Sequence, residues 1–317
     1  MLSTQRIDVH HHILPSLYTN ALDRIGQSRS GGADLPPWSQ KAALALMDRQ
    51  GIATAIASIS SPGVYFGDAA FARELARQCN EFSAELVREY PQRFGALAIL
   101  PLPDVDATLQ ELEYALDTLK LDGVILLASY GDRYLGDPAF DPVFAELNRR
   151  HCVILLHPTT PPGSNVPKLD LPSFLVEFVI DTTRALANLI YTGTLERYSN
   201  LSIIVSHAGG TVPYIAGRLA VAAELMPHLQ EKAPQGAITY LKRLYYDTAI
   251  STTPYAMRSL TTLVEPSQIL FGTDYPYLPE NLIANEVNDL VTNCDLSAEA
   301  LEAIEHQNAR RLFPQFF

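Results

Sequence analysis

The run DVHHH, residues 8–12, brings three imidazoles and a carboxylate together near the start of a 317-residue chain. Side chains alternate along an extended strand, so His10 and His12 face one way and His11 the other, with Asp8 on the His10 face one step deeper. Two imidazoles two residues apart can grip one metal ion from a single strand. His157 in LLHP, His207 in SHAGG and Asp274 in FGTDYP also end short apolar runs. An imidazole from His157 and a carboxylate from Asp274 would complete a set of three nitrogens and one oxygen. That mixture suits Zn²⁺, and less specifically Mn²⁺ or Fe²⁺.

Taken singly, a histidine in an apolar strand is ordinarily a hydrogen-bonded core residue, and an HxH pair is a modest signal. The weight lies in the shared placement of His10, His12, His157, His207 and Asp274. Asp274 can be a ligand or a proton carrier beside the metal. His207 can be a fourth nitrogen ligand or a general base outside the metal shell. A cation nearby lowers the proton affinity of an imidazole, so a neutral His207 could polarise water or a substrate oxygen. Gly209 and Gly210 either let the backbone approach a ligand or simply make a tight turn. His11 is expected to pack away from the metal, and His151, His228 and His306 to be surface or structural residues.

Something must hold these groups at one end of a scaffold. Eight short, continuously apolar runs recur: IDVHHHI, ATAIASIS, FGALAILPL, DGVILLAS, VILLHPT, SIIVSHAG, LYYDTAIS and ILFGTDYP. Such runs suit strands buried on both faces of a parallel sheet. Amphipathic stretches separate them, including FARELARQCNEFSAELVREY, DATLQELEYALDTLK and DPVFAELNRR, with further helices starting near Ser173 and Pro279. Ser39 should cap the helix KAALALMDRQ and Gly51 end it. This alternation predicts an α/β architecture, one (β/α)₈ TIM barrel spanning 1–317, with a loop insertion near 26–38 and a C-terminal helix at 297–312. A doubly wound open sheet would want a Gly-rich phosphate turn after its first strand, where this chain has HHHILP. In a barrel the reactive groups gather at the C-terminal ends of the strands, where all five candidates fall.

Composition narrows the partners. Hydrophobic residues make up 47% and charged residues 18%, which fits a packed globular chain, and the net charge is −12. An acidic balance argues against nucleic acid or an anionic membrane as partner. No apolar stretch approaches the roughly 20 residues of a membrane span. The first residues lack a charged-then-apolar leader, and Cys79, Cys152 and Cys294 have no CxxC spacing, so a reducing cytoplasm is expected, with the thiols as buried hydrophobes.

DVHHHILP, LLHP, SHAGG and FGTDYP, in this order, resemble the amidohydrolase superfamily, and within it the branch of metal-dependent nonoxidative decarboxylases. That branch includes aminocarboxymuconate semialdehyde, γ-resorcylate and 6-methylsalicylate decarboxylases. The likeness runs through nearly the whole chain, including LMDRQGI, YPQRFGALAILPLPD and DGVILL. It implies that His10, His12, His157 and Asp274 ligate the metal, that Asp274 takes part in proton transfer, and that His207 is the acid/base. Arg218, in TVPYIAGRL, matches an arginine that reaches into a neighbouring subunit's site to bind substrate carboxylate, which implies a homodimer. The alternative reading of Arg218 is a helix-surface cation.

One departure bears on substrate. The semialdehyde decarboxylase carries a substrate-binding arginine in the helix before its MDxxG segment, whereas KAALALMDRQG has alanines and leucines there. A dicarboxylic substrate is therefore disfavoured. Trp38, Tyr65, Phe66 and Tyr277 lie in expected strand-end loops and could wall a flat ring, although each alone would ordinarily be a packing anchor. The expected substrate is an o-hydroxybenzoate of the 6-methylsalicylate kind, decarboxylated with a metal and no organic cofactor. The alternative is a metal-dependent hydrolase of lactones or amides at the same site, since fold does not fix function.

Overall fold

The computed structural model describes residues 5–161 and 169–316. The start of the stretch read as lacking a leader, residues 1–4, lies outside them. Eight parallel strands pair in chain order: β1 (Arg6–His12), β2 (Ile52–Ser58), β3 (Phe94–Ile99), β4 (Gly123–Leu127), β5 (Val153–His157), β6 (Ser202–Val205), β7 (Tyr245–Asp247) and β8 (Ile269–Leu270). Every residue of β1, β3, β4 and β5 is buried, which is why these runs are apolar throughout rather than alternating.

The sheet curls into a barrel, and its seam lies between β1 and the residues after β8. Three backbone bonds join them: Val9 N–H to Phe271 C=O at 3.0 Å, Asp274 N–H to His10 C=O at 2.8 Å, and His12 N–H to Tyr275 C=O at 2.6 Å. The fold is thus the α/β (β/α)₈ barrel expected from the alternation of elements.

The helices cover the outside. The long helix Ala69–Glu89 starts at Asp68, whose carboxylate accepts from the Ala70 and Phe71 amides, and buries Ala72, Leu75, Ala76, Cys79, Ser83 and Leu86 along one stripe. Helix Gln40–Gln50 begins at Ser39, which accepts from the Ala42 amide, and stops at the left-handed Gly51, φ 67°. Both ends agree with the sequence reading. No helix among the described residues is long and apolar enough to cross a membrane. Cys79, Cys152 and Cys294 are buried and unpaired.

Two details differ from expectation. The loop insertion expected near 26–38 contains a small antiparallel hairpin, Arg29–Ser30 with Ala33–Asp34. Gly31 and Gly32 supply its left-handed turn, and the Arg29 guanidinium donates to Asp34 at 2.9 Å. The final helical region begins at its Ser297 cap, widens into a π-turn at Ala303–Gln307 and ends at Leu312. There the Ile304 carbonyl accepts the Phe271 amide at 3.0 Å, so the terminal helix is stitched directly to the end of β8.

Beside this stitch, Arg6 at the foot of β1 is 1% exposed and pairs with Glu305 at 2.5 Å, while its other terminal nitrogen donates to Gln50 C=O at 2.8 Å. Removing one partner of a buried pair strands the other charge. Glu305→Ala should therefore lower the stability to urea by about 3–5 kcal/mol, read from the shift of the unfolding midpoint. An unchanged midpoint would refute a structural role for the pair.

Candidate metal centre

The seam delivers the first three donors. His10 and His12 point inward from β1, and Asp274 follows β8 with a left-handed φ of 59°, a conformation that aspartate tolerates better than most residues. His157 at the end of β5 supplies the fourth. One ligand atom from each of His10, His12, His157 and Asp274 lies within 4.8 Å of every other, and all four residues are buried. The His10 and His12 Nε2 atoms are 2.9 Å apart, and they stand 3.4 and 3.3 Å from Asp274 Oδ1.

Each imidazole is oriented from behind. His10 Nδ1–H donates to Asp247 Oδ2 at 2.7 Å, and His157 Nδ1–H to the Pro158 carbonyl at 2.7 Å. His12 Nδ1 lies 2.9 Å from the Ser58 hydroxyl. With the proton on the outer nitrogen, the inner nitrogen is left as a lone pair, the tautomer a metal ligand needs.

The charges agree. Burial disfavours a cation on His10, but Asp247 and then Asp274 outweigh it and raise its pKa to about 10. Burial lowers His12 to about 4, only partly offset by Asp274. Burial, then His12 and His10, hold His157 well below the usual histidine range. Burial alone would raise Asp274, yet the His10 and His12 imidazoles beside it keep it well below the usual carboxylate range. The centre is therefore a buried site that demands positive charge. Asp274 Oδ1 is also buried with no hydrogen-bond donor. An orphaned carboxylate oxygen facing imidazole nitrogens fits a divalent cation, which three nitrogens and one oxygen can hold.

His207 sits just after β6, outside this four-atom set. Its ring centroid is 4.9 Å from that of His10 and 5.7 Å from that of His157. Its Nδ1–H donates to the Ala249 carbonyl at 3.1 Å, so its Nε2 is an acceptor, and burial followed by His10 lowers its pKa. Gly209 and Gly210 are explained by the turn itself. Both have positive φ, and a Cβ on Gly210 would meet the Val179 carbonyl at 2.3 Å.

The sequence places Asp8 on the His10 face, but the β1–β2 register shifts between Asp8 and His11 and turns it elsewhere. Its carboxylate accepts from His11 Nδ1–H at 3.0 Å, from the Thr273 hydroxyl at 2.6 Å and from the Thr273 amide at 3.0 Å. His11 thus packs away from the centre, against Tyr275. His151 and His228 are exposed, and His306 is buried in the terminal helix.

Of the four aromatic candidates, Tyr277 stands edge-on to His12 at 5.6 Å. Tyr65 lines a cavity of about 160 Å³ with Leu127, Tyr130 and Thr159. Trp38 packs on Phe82 and walls a separate cleft of about 650 Å³ beside helix Ser16–Arg24, and Phe66 packs on Phe71. Phe178, which sequence reasoning did not single out, stands edge-on to His157 at 6.2 Å. The hairpin turn roofs it. A Cβ on Gly31 would lie 2.7 Å from the Phe178 ring, and Ser30 donates to the Ser61 carbonyl at 2.8 Å. Arg218 is exposed on helix Val212–Leu225. Asp247 was also missed; a carboxylate inside the apolar seventh run was its only signal.

A family model described as amidohydrolase matches residues 7–315. A 6-methylsalicylic acid decarboxylase from Penicillium expansum is 37% identical over 314 residues, 98% of this chain and 96% of that protein. A solved structure described as amidohydrolase II superposes with a TM-score of 0.91 at 31% identity, covering 98% of this chain and 100% of that one. A dihydroxybenzoic acid decarboxylase from Polaromonas, solved with bound manganese and 2-nitroresorcinol, shares the fold at TM-score 0.83 and 24% identity, over 98% of this chain and 97% of that one.

Dialysis against a strong chelator, followed by reloading, should show about one divalent ion per chain, as one four-donor set requires. The metal-free protein should melt at a lower temperature, because an ion that binds only the folded state stabilises it. His157→Ala should abolish stoichiometric loading. Full loading of that variant would place the metal elsewhere.

Proposed function

The chain belongs to the amidohydrolase family, and from that premise we propose that it is a metal-dependent nonoxidative decarboxylase of a small aromatic acid, an o-hydroxybenzoate of the 6-methylsalicylate kind. The observation that carries this reading is a complete three-histidine, one-aspartate centre with His207 beside it, in a chain similar along its length to a 6-methylsalicylic acid decarboxylase. His10, His12, His157 and Asp274 would hold the ion, with Zn²⁺ the assignment their chemistry favours and Mn²⁺ its competitor. When bound, the cation supplies positive charge that anchors the acid's oxygens and draws electron density from the ring.

The chain's own groups do the rest. Tyr277 beside His12 and Phe178 beside His157 are the aromatic side chains nearest the centre that could wall a flat ring, with Tyr65 a further candidate. A proton must reach the ring carbon that carries the carboxylate; the bond to CO₂ then breaks and its electron pair restores the aromatic ring. Asp274 and His207 are the two groups placed to carry that proton. His207 can do so because its Nδ1–H is committed to Ala249, which leaves Nε2 free to take and give a proton. No organic cofactor is needed, since the ortho hydroxyl and the metal's charge stabilise the transient loss of aromaticity.

Arg218 has no ion-pair or hydrogen-bond partner in this chain among the described residues. On its helix Tyr214 is 87% exposed and Leu225 74%, and with Val221 they fall at helical spacing on the Arg218 face. Leu171, Phe174 and Leu175 add further exposed apolar surface. This supports a homodimer through that face, with Arg218 offered to the partner's substrate carboxylate. Three buried, unpaired thiols support a cytoplasmic setting.

Metal-loaded protein given 6-methylsalicylate in D₂O should release CO₂ and 3-methylphenol in equal amounts, with deuterium on the former carboxyl-bearing carbon. Hydrolysis of lactones or amides with no CO₂ from any aromatic acid would overturn the reading. His207→Asn should keep its metal and lose about 10²–10⁴-fold in turnover, the usual weight of a general acid/base.

For the dimer, sedimentation should give twice the chain mass. Leu225→Glu should shift it to monomer, whereas Arg218→Ala should remain dimeric with a raised KM. A monomeric wild-type protein with full activity would refute this arrangement.

A further inference from the structure

Asp247 ends β7 and is fully buried. Its Oδ2 accepts His10 Nδ1–H at 2.7 Å. Its Oδ1 accepts the backbone amide of His207 at 2.9 Å and that of Ala249 at 3.1 Å. The Ala249 carbonyl, in the turn that this last bond fastens, takes His207 Nδ1–H at 3.1 Å. One carboxylate thus sets the tautomer of His10, the backbone position of His207, and the carbonyl that sets the tautomer of His207.

The anchor has work to do. His207 and Ala208 are both left-handed, at φ 52° and 53°, and Gly209 and Gly210 follow at 79° and 63°. Two non-glycine residues in that region cost backbone energy and persist only where neighbours over-determine them. We infer that Asp247 is a positioning residue that locks the metal ligand His10 and the proton-carrying His207 into one arrangement, so that the ion and the proton carrier keep a fixed separation. The half concerning His10 stands on the metal centre alone; the half concerning His207 rests on the decarboxylase reading above.

Only a carboxylate can do both tasks. In Asp247→Asn the amide oxygen would stay with the two backbone N–H donors, His207 and Ala249. The NH₂ group would then face His10 Nδ1 and force that nitrogen to accept. The His10 proton would move to Nε2, the atom 2.9 Å from His12 Nε2 and 3.4 Å from Asp274 Oδ1, and so occupy the ligand position.

The test compares wild type, Asp247→Asn and Asp247→Ala by chelator competition, then by kcat and KM at saturating zinc. Asn is nearly isosteric, so the expected result is metal affinity reduced 10–100-fold, the usual range for loss of an oriented outer partner. Alanine cannot force the wrong tautomer, so it should bind metal more tightly than Asn. It frees the His207 backbone, however, so its kcat should fall further than that of Asn, with KM little changed.

Imidazole ¹⁵N spectra of the zinc-loaded wild-type protein give a measurement that needs no variant to fold. They should show His10 protonated at Nδ1 and metallated at Nε2, and His207 protonated at Nδ1. Wild-type metal affinity in Asp247→Asn, or His10 bound through Nδ1, would overturn the assignment. Absence of CO₂ release by wild type, with the affinity ranking intact, would count against the decarboxylase reading alone.

Discussion

A carboxylate oxygen buried without a donor is the constraint to which the rest of this structure answers. Placing an ionised group in a protein interior costs several kcal/mol unless opposite charge is supplied there. Asp274 Oδ1 meets inward-facing imidazole nitrogens, which are themselves good at holding either a proton or a cation. The groups behind the histidines, Asp247, Ser58 and the Pro158 carbonyl, matter because they decide which nitrogen of each ring faces inward. Asp8 plays the matching part for the carboxylate side by fastening Thr273, the residue before Asp274.

The barrel separates stability from chemistry along its axis. At the foot of β1 the Arg6–Glu305 pair fastens the terminal helix, which the Ile304–Phe271 bond also ties to the end of β8. At the other end the same strands lead into histidines, aspartates and turns whose backbone is partly left-handed, at His207, Ile250 and Asp274. Strained backbone of this kind is affordable where a closed ring of hydrogen-bonded strands fixes everything below it.

The scaffold and the four donors were legible in the sequence because both rest on local pattern. Buried parallel strands read as unbroken apolar runs, and a strand end is visible as the point where such a run meets histidine, proline or aspartate. What escaped depends on tertiary distance. Asp247 reads as an ordinary residue in LYYDTAIS until its oxygens are found on His10 and His207. Asp8 obeys simple alternation only until the register shift beside it is known. Aromatic residues were the least legible. Trp38 and Phe66 settle on Phe82 and Phe71, while Phe178, with no special sequence context, reaches the centre because the hairpin turn at Gly31 packs on it.

The seam between β1 and β8 has a bearing on how the protein is made. His10 and His12 leave the ribosome long before Asp274, which follows them by most of the barrel's length. Pairing elements so distant along the chain is the slow part of folding such a topology. A nascent chain therefore carries two exposed imidazoles long before the carboxylate that completes their cage exists. The four-donor set can be complete only once the ring has closed, and a chain cut short before its eighth strand would be both open along one side and unable to assemble it.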